Sequence, residues 1–94
     1  MRALVFENGS TRVAIVSADF LGFPAVLGDQ VRAAVRDKIP AQNILIGATH
    51  THSAPDCYGF PDGKGGTSAS RPYLELVCTR MAEAVSEAVD KLRP

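Results

Sequence analysis

The hydrophobic residues near the start of the chain follow the pattern of a β-hairpin. Two β-prone runs, residues 3–6 and 12–17, lie on either side of Asn8-Gly9, a dipeptide that suits a tight turn with positive φ. The second run, within VAIVSA, is apolar almost throughout, which is typical of a strand covered on both faces. We therefore expect a hairpin whose second strand needs cover on both sides.

A helical period follows the hairpin, and a third strand follows the helix. Residues 23–40 have one proline in the first turn and another at the end, and Leu27 and Val31 share one apolar face. Residues 43–48, NILIGA, then predict a strand. A strand, a helix and a strand in this order imply a right-handed βαβ unit with parallel strands.

A second helix is predicted for the end of the chain. Ser70 suits its N-cap, and Pro72 falls in its first turn. Glu87 and Lys91 have the favourable spacing and order of a helical ion pair. The apolar stripe of this helix consists of Leu74, Val77, Cys78, Met81, Val85, Ala88, Val89 and Leu92.

Residues 53–70 separate the third strand from this helix and are rich in Gly, Pro and Ser. Loops of this length are uncommon unless they are functional or disordered. Asp56 and Asp62 suit turn positions within it better than ligand positions. Aromatic side chains that are candidates to line an apolar substrate groove are Phe20, Tyr58 and Phe60.

Together the elements predict a small α/β fold in the order β-β-α-β-loop-α. Its three-stranded mixed sheet combines the hairpin with the parallel βαβ unit, and two helices accompany it. Residues 1–94 have the length of a single domain. These few elements provide little cover for the VAIVSA strand. We therefore expect the chain to be either a fragment of a larger domain or a domain that forms homo-oligomers.

Composition and charge narrow the classes of function. Lys and Arg total 10, as do Asp and Glu, so the formal net charge is zero and no nucleic-acid partner is predicted. No apolar run has the length of a transmembrane segment, no signal peptide is visible, and the compartment stays open. The two cysteines do not make a disulfide framework, since Cys78 falls on the helical apolar face and Cys57 is a candidate exposed thiol in the loop.

The candidate chemistry lies where the third strand ends. His50 and His52, the two histidines of the chain, occupy THTHS directly after that strand. The second strand ends at Asp19, and ligands of βαβ units bind beyond the carboxyl ends of the strands. Since residues i and i+2 of an extended backbone point to the same side, both imidazoles would face one point near Asp19.

Two imidazoles on a rigid element suit zinc, among other transition metals. Asp19 would be a third ligand, or an acceptor that orients an imidazole, although a role as a cap or turn residue fits it equally. Ser53 is an alternative candidate, as a nucleophile with His52 as its base. The sequence thus predicts a metal site at this edge and leaves the third ligand open.

The order of these features resembles the neutral/alkaline (non-lysosomal) ceramidase family. The segment RALVFENGSTRVAIVSADFLG resembles the family's strand pair, which ends in an acidic residue and a Leu-Gly-type turn. NILIGATHTHSAP is similar to the T-H-T-H-S-G-P signature, and PYLELVCTRMAEAVSEAVDKL resembles the helix that follows it. The likeness extends over nearly the whole chain, and it implies the N-terminal portion of a larger catalytic domain.

The resemblance implies a zinc-dependent amidohydrolase that cleaves the amide of ceramide or of a related N-acyl lipid. In the family's scheme the first histidine of the signature, here His50, binds zinc, and the second, His52, lies beside the metal and assists substrate binding or proton transfer. Taken with their spacing, His50 and His52 are the candidate metal ligands, and His52 and Asp19 are the candidate catalytic residues. The chain departs from the family at Ala54-Pro55-Asp56, where Gly-Pro-Gly is usual. The family's further histidine, glutamate and tyrosine ligands come from later segments, so we expect this chain alone to have little or no activity.

Two other hypotheses stay open. One is a non-catalytic α/β module that binds a partner or oligomerises, in which the His-X-His motif is vestigial or holds a metal at an interface. The other is a small hydrolase that uses Ser53 or Cys57 as its nucleophile.

Overall fold

The computed structural model describes residues 1–94 as a three-stranded sheet with two helices. Strand β2 lies in the centre, antiparallel to β1 and parallel to β3, which confirms the predicted mixed sheet. The order of elements along the chain is also as predicted. The elements are β1 (Arg2–Asn8), β2 (Thr11–Ala18), α1 (Ala25–Ala34), a 3₁₀ turn (Ala41–Asn43), β3 (Ile44–Ala48) and α2 (Arg71–Asp90).

The hairpin turn lies one residue later than the sequence suggests. Asn8 pairs with Thr11 as the last pair of the ladder, so the two turn residues are Gly9 and Ser10. Of these two turn residues only Gly9 has a positive φ, at 61°. A glycine at the first central position is the pattern of a type II′ turn, whose twist matches that of the strands.

Helix α1 ends at Ala34, well before the proline at position 40 that was expected to stop it. The backbone N–H groups of Lys38 and Ile39 both donate to the carbonyl of Val35, at 2.9 and 3.1 Å, and so form a turn. Arg12 on β2 donates to the Lys38 carbonyl at 2.7 Å and holds this turn against the sheet. The early end allows Ile39 to enter the core.

The core lies between one face of the sheet and the two helices. Ala14, Val16 and Ala18 of β2 are fully buried there, and the predicted stripe of α2 packs into the same cluster from Leu74 to Val85. Cys57 of the loop is buried too, so the expectation of an exposed thiol at this position was wrong. The α2 residues in the core are Val77, Cys78, Met81 and Val85.

The opposite face of the sheet has no cover. Alternate side chains of all three strands are apolar and yet strongly exposed, in agreement with the expected shortage of cover for β2. We call this set the apolar sheet face, and it consists of Leu4, Phe6, Val13, Ile15 and Leu45.

Burial of the two thiols predicts a pH dependence of stability. Burial is the main cause that raises the pKa values of Cys57 and Cys78 above the ordinary 9.0, because it disfavours the thiolate. An acid whose pKa is raised by folding stabilises the protein fully below its unfolded pKa, and this stability is lost as the pH rises through the folded pKa. Urea unfolding above pH 9.0 should therefore show falling stability, and a C57A/C78A variant should show a smaller decline.

Candidate metal site at the strand ends

The segments that follow β2 and β3 run side by side beyond the sheet. The backbone N–H of Thr49 donates to the carbonyl of Ala18 at 3.0 Å, and the N–H of His50 donates to the carbonyl of Phe20 at 3.0 Å. These bonds extend the contact of the parallel strands past their ends. The predicted convergence of the two carboxyl ends on one edge is therefore present.

Asp19 contacts the neighbour of a histidine. Its Oδ1 accepts a hydrogen bond of 3.1 Å from the Thr49 hydroxyl, and both side chains are exposed. The bond between Asp19 and Thr49 thus joins the two strand ends, and Thr49 directly precedes His50. The structure brings no three His, Cys, Asp or Glu side chains together in a group that could hold a metal ion, so the expected set of Asp19 with both histidines is not assembled.

His50 has an unusual backbone conformation that its hydrogen bonds hold in place. Its φ is +66°, in the left-handed region, which costs a non-glycine residue roughly 1 kcal/mol or more. Its Nδ1 lies 2.8 Å from the carbonyl oxygen of Leu21. Because a carbonyl only accepts, Nδ1 carries the proton of this bond, and the neutral ring keeps its lone pair on Nε2. This is how metal-binding histidines are commonly oriented.

The two imidazoles lie close together, but not for the reason predicted. The left-handed backbone at His50 breaks the extended conformation on which the i, i+2 expectation rested. The rings of His50 and His52 instead meet edge to face, with centroids 4.9 Å apart and planes at 89°. Two imidazoles bound to one tetrahedral zinc at about 2.0–2.1 Å have centroids roughly 5 Å apart, so the separation fits two of the four positions around zinc.

A small cavity lies beside His52. It has a volume of about 180 Å³, and most of its wall comes from the loop after β3. The rings of Tyr58 and Phe60, 5.4 Å apart, form its aromatic part, as the sequence suggested. Phe20 is buried in the core and does not line it. The lining residues are Leu21, Thr51, His52, Ala54, Pro55, Asp56, Cys57, Tyr58 and Phe60.

The Asp56 carboxylate organises the loop that bears this cavity. It accepts hydrogen bonds from the backbone N–H groups of Tyr58, Gly59 and Phe60, at 2.6, 3.1 and 2.7 Å. The Ser68 hydroxyl, twelve residues along the chain, donates to it as well. The bond from Ser68, and then those from the backbone, hold the pKa of Asp56 below its ordinary 3.8, although burial opposes them. The sequence indicates a turn residue here but gives no sign of the distant partner.

The turn after β2 supports the cavity wall through Tyr58. A Cβ atom at Gly22 would overlap the Tyr58 hydroxyl oxygen, so a side chain there must displace the tyrosine. We expect Gly22→Ala to move Tyr58 away from the turn and to alter the cavity beside His52.

The side-chain NMR signals of Tyr58 and His52 measure this effect. Gly63→Ala is the matched control, because a Cβ at position 63 meets nothing within 4 Å although its φ of +78° adds local strain. Unchanged signals in Gly22→Ala, or equal shifts in both variants, would contradict the contact.

Comparisons of the chain with family models, with curated proteins and with solved structures found no match. The resemblance of residues 49–53 to the ceramidase signature therefore rests on those residues alone. None of the helices combines the length and the apolar character that a membrane crossing requires.

Proposed function

We propose that this chain forms one wall of the site of a ceramidase-like, zinc-dependent amidohydrolase, with His50 and His52 as zinc ligands. The observation that carries the proposal is the pair of imidazoles 4.9 Å apart at the strand ends, with His50 held by the Leu21 carbonyl so that Nε2 is free. The T-H-T-H-S motif supports the same reading. The substrate class is a lipid with an N-acyl amide.

Each residue of the proposed site has a different role, which follows from its position. A bound zinc ion would polarise the amide carbonyl and lower the pKa of a bound water. His52 lines the cavity and is the side chain placed to contact a substrate or to transfer a proton there. Asp19 acts indirectly, because its carboxylate binds the Thr49 hydroxyl and so fixes the backbone that leads into His50.

Two imidazoles do not complete a catalytic zinc site. Such sites use three protein ligands and keep one position open, and the structure groups no third His, Cys, Asp or Glu with the pair. We therefore propose that the isolated chain binds zinc weakly and turns over little or no amide. The remaining ligands would come from outside this sequence.

Zinc titration tests the proposal directly. Competition with a chromophoric chelator should show weak binding by the wild-type chain, and His50→Ala and His52→Ala should each lower the affinity at least about tenfold, as the loss of one of two ligands implies. Asp29→Asn removes an exposed carboxylate from α1 and should leave the affinity unchanged. Zinc binding that neither histidine variant weakens would overturn the proposal. Robust zinc-dependent amide hydrolysis by the isolated chain would overturn the claim of low activity.

A second candidate function follows from the same incomplete ligand set. Two copies of the chain would supply four imidazoles, which is a full tetrahedral set, and would make the motif an interfacial metal site of a non-catalytic module. Sedimentation with zinc and with a chelator separates the two functions. Dimers that form only with zinc and that His50→Ala abolishes favour the module, whereas zinc binding that leaves the state of association unchanged favours the amidohydrolase wall.

A further inference from the structure

The apolar sheet face is a continuous surface built from register-matched side chains. Leu4 of β1 pairs with Ile15 of β2, and Ile15 pairs with Leu45 of β3, so these three form a row across the sheet. Phe6 and Val13 form the next row. Their exposed fractions run from 36% to 64%, and contiguous exposed apolar surfaces of this kind mark interaction sites.

The charged and polar residues on this face indicate which kind of partner can bind it. Charge enters it at one end, where Arg2 and Asp19 line the same recess beside Ser17, and the other end carries the neutral Asn8 and Thr11. Two such faces stacked with their strands antiparallel would place each Arg2 over the neutral end of the other. The face therefore opposes no like charges when it meets its own copy, and the opposite charges of Arg2 and Asp19 at its one end do not favour a partner of a single charge.

The dimensions of the face favour a sheet as the covering element. The three strands have 7, 8 and 5 residues, so the face is roughly 14 Å wide and covers about 310 Å². A helix, about 10–12 Å across, would leave part of that width exposed, whereas a second three-stranded sheet matches it. The area is below the roughly 800 Å² per partner of a standard interface, so it supports weak, reversible association.

We propose that the apolar sheet face binds the same face of a second copy of this chain, with the two sheets stacked about 10 Å apart. The resulting dimer is a sandwich whose outer layers are the helices of each copy. The strand-end histidines lie outside this contact, so the association depends neither on zinc nor on the proposed hydrolase function.

Sedimentation equilibrium over roughly a hundredfold range of protein concentration, in the presence of a chelator, tests the proposal. The wild-type chain should shift from monomer to dimer as its concentration rises. Leu45→Lys, at the centre of one row, should remain monomeric across the range. Leu76→Lys is the matched control, because Leu76 is an exposed leucine of α2 on the other side of the molecule and its replacement should leave the dimer intact.

Circular dichroism establishes whether each variant folds. If Leu45→Lys does not fold, Phe6→Lys serves as a second variant of the face. A wild-type chain that stays monomeric throughout would overturn the proposal, even if it binds an apolar dye at this face, because that result would assign the face to a different partner. Equal loss of the dimer in Leu76→Lys would overturn it too. A dimer that appears only with zinc would refute this interface and support the interfacial histidine site.

Discussion

Replacing Met81 with alanine is expected to lower the free energy of unfolding by about 2–5 kcal/mol. Met81 is the central residue of the α2 stripe, and it is fully buried between this helix and the sheet. Its loss removes apolar contacts and leaves a cavity in the buried cluster that also contains Val16 and Val31. Since small domains have a total stability of about 5–15 kcal/mol, the change is a large share of it.

Urea unfolding followed by circular dichroism measures this change. Leu76→Ala is the control on the same helix, because its side chain is 49% exposed and its loss should change stability by about 0.5 kcal/mol or less. A Met81→Ala variant as stable as Leu76→Ala would show that α2 does not pack against the sheet as described.

Replacing Asp56 with alanine is expected to loosen the loop between β3 and α2 while the sheet and helices stay folded. The carboxylate accepts three backbone N–H bonds, and the Ser68 hydroxyl ties the far end of the loop to it. Without it the N–H groups of Tyr58 and Phe60 lose their acceptor, and the walls of the cavity beside His52 lose their fixed positions. We expect trypsin to cut after Lys64 at least about tenfold faster in the variant, as local opening becomes easier.

Mass spectrometry of the tryptic fragments follows this cut, and Asp29→Ala, which removes an exposed carboxylate from α1, is the control.

The stability of this loop should also depend on pH in a definite direction. Because the pKa of Asp56 is lowered, its contribution is present above the ordinary value of 3.8 and is lost as the pH falls through the lowered pKa. Cleavage by a protease active in acid should therefore accelerate in that range for the wild type but not for Asp56→Ala.

Local patterns were enough to predict the elements of this fold. The apolar run of β2 and the apolar stripe of α2 can each be read from a short stretch of sequence, and Ser70 caps α2 through the N–H of Tyr73 as its position suggests. The end of α1 could not be predicted in this way. Val35 and Ile39 continue an apolar helical spacing, whereas in the structure the turn beyond Ala34 is bound at the Lys38 carbonyl by Arg12, a residue of another element.

In the candidate site, too, some features could be predicted from local sequence and others could not. The parallel arrangement of β2 and β3 follows from topology, and it was enough to predict that Asp19 and the histidines share one edge. The left-handed backbone of His50 depends on the carbonyls of Phe20 and Leu21, which no motif reveals. For the same reason the partner of Asp19 proved to be the Thr49 hydroxyl, since side-chain pairing across two strand ends depends on angles that the sequence does not specify.

The turn after β2 connects the histidines to the loop across the cavity. His50 takes its backbone acceptor from Phe20 and its ring acceptor from Leu21, while Tyr58 rests on Gly22. A ligand that restricts the His50 ring must therefore also restrict this turn, and the turn in turn restricts Tyr58. Binding at the strand ends and ordering of the loop would then be thermodynamically coupled. If the chain binds zinc and a substrate as proposed, a substrate that immobilises the loop would lower the entropic cost of binding the metal, and the metal would lower that of binding the substrate.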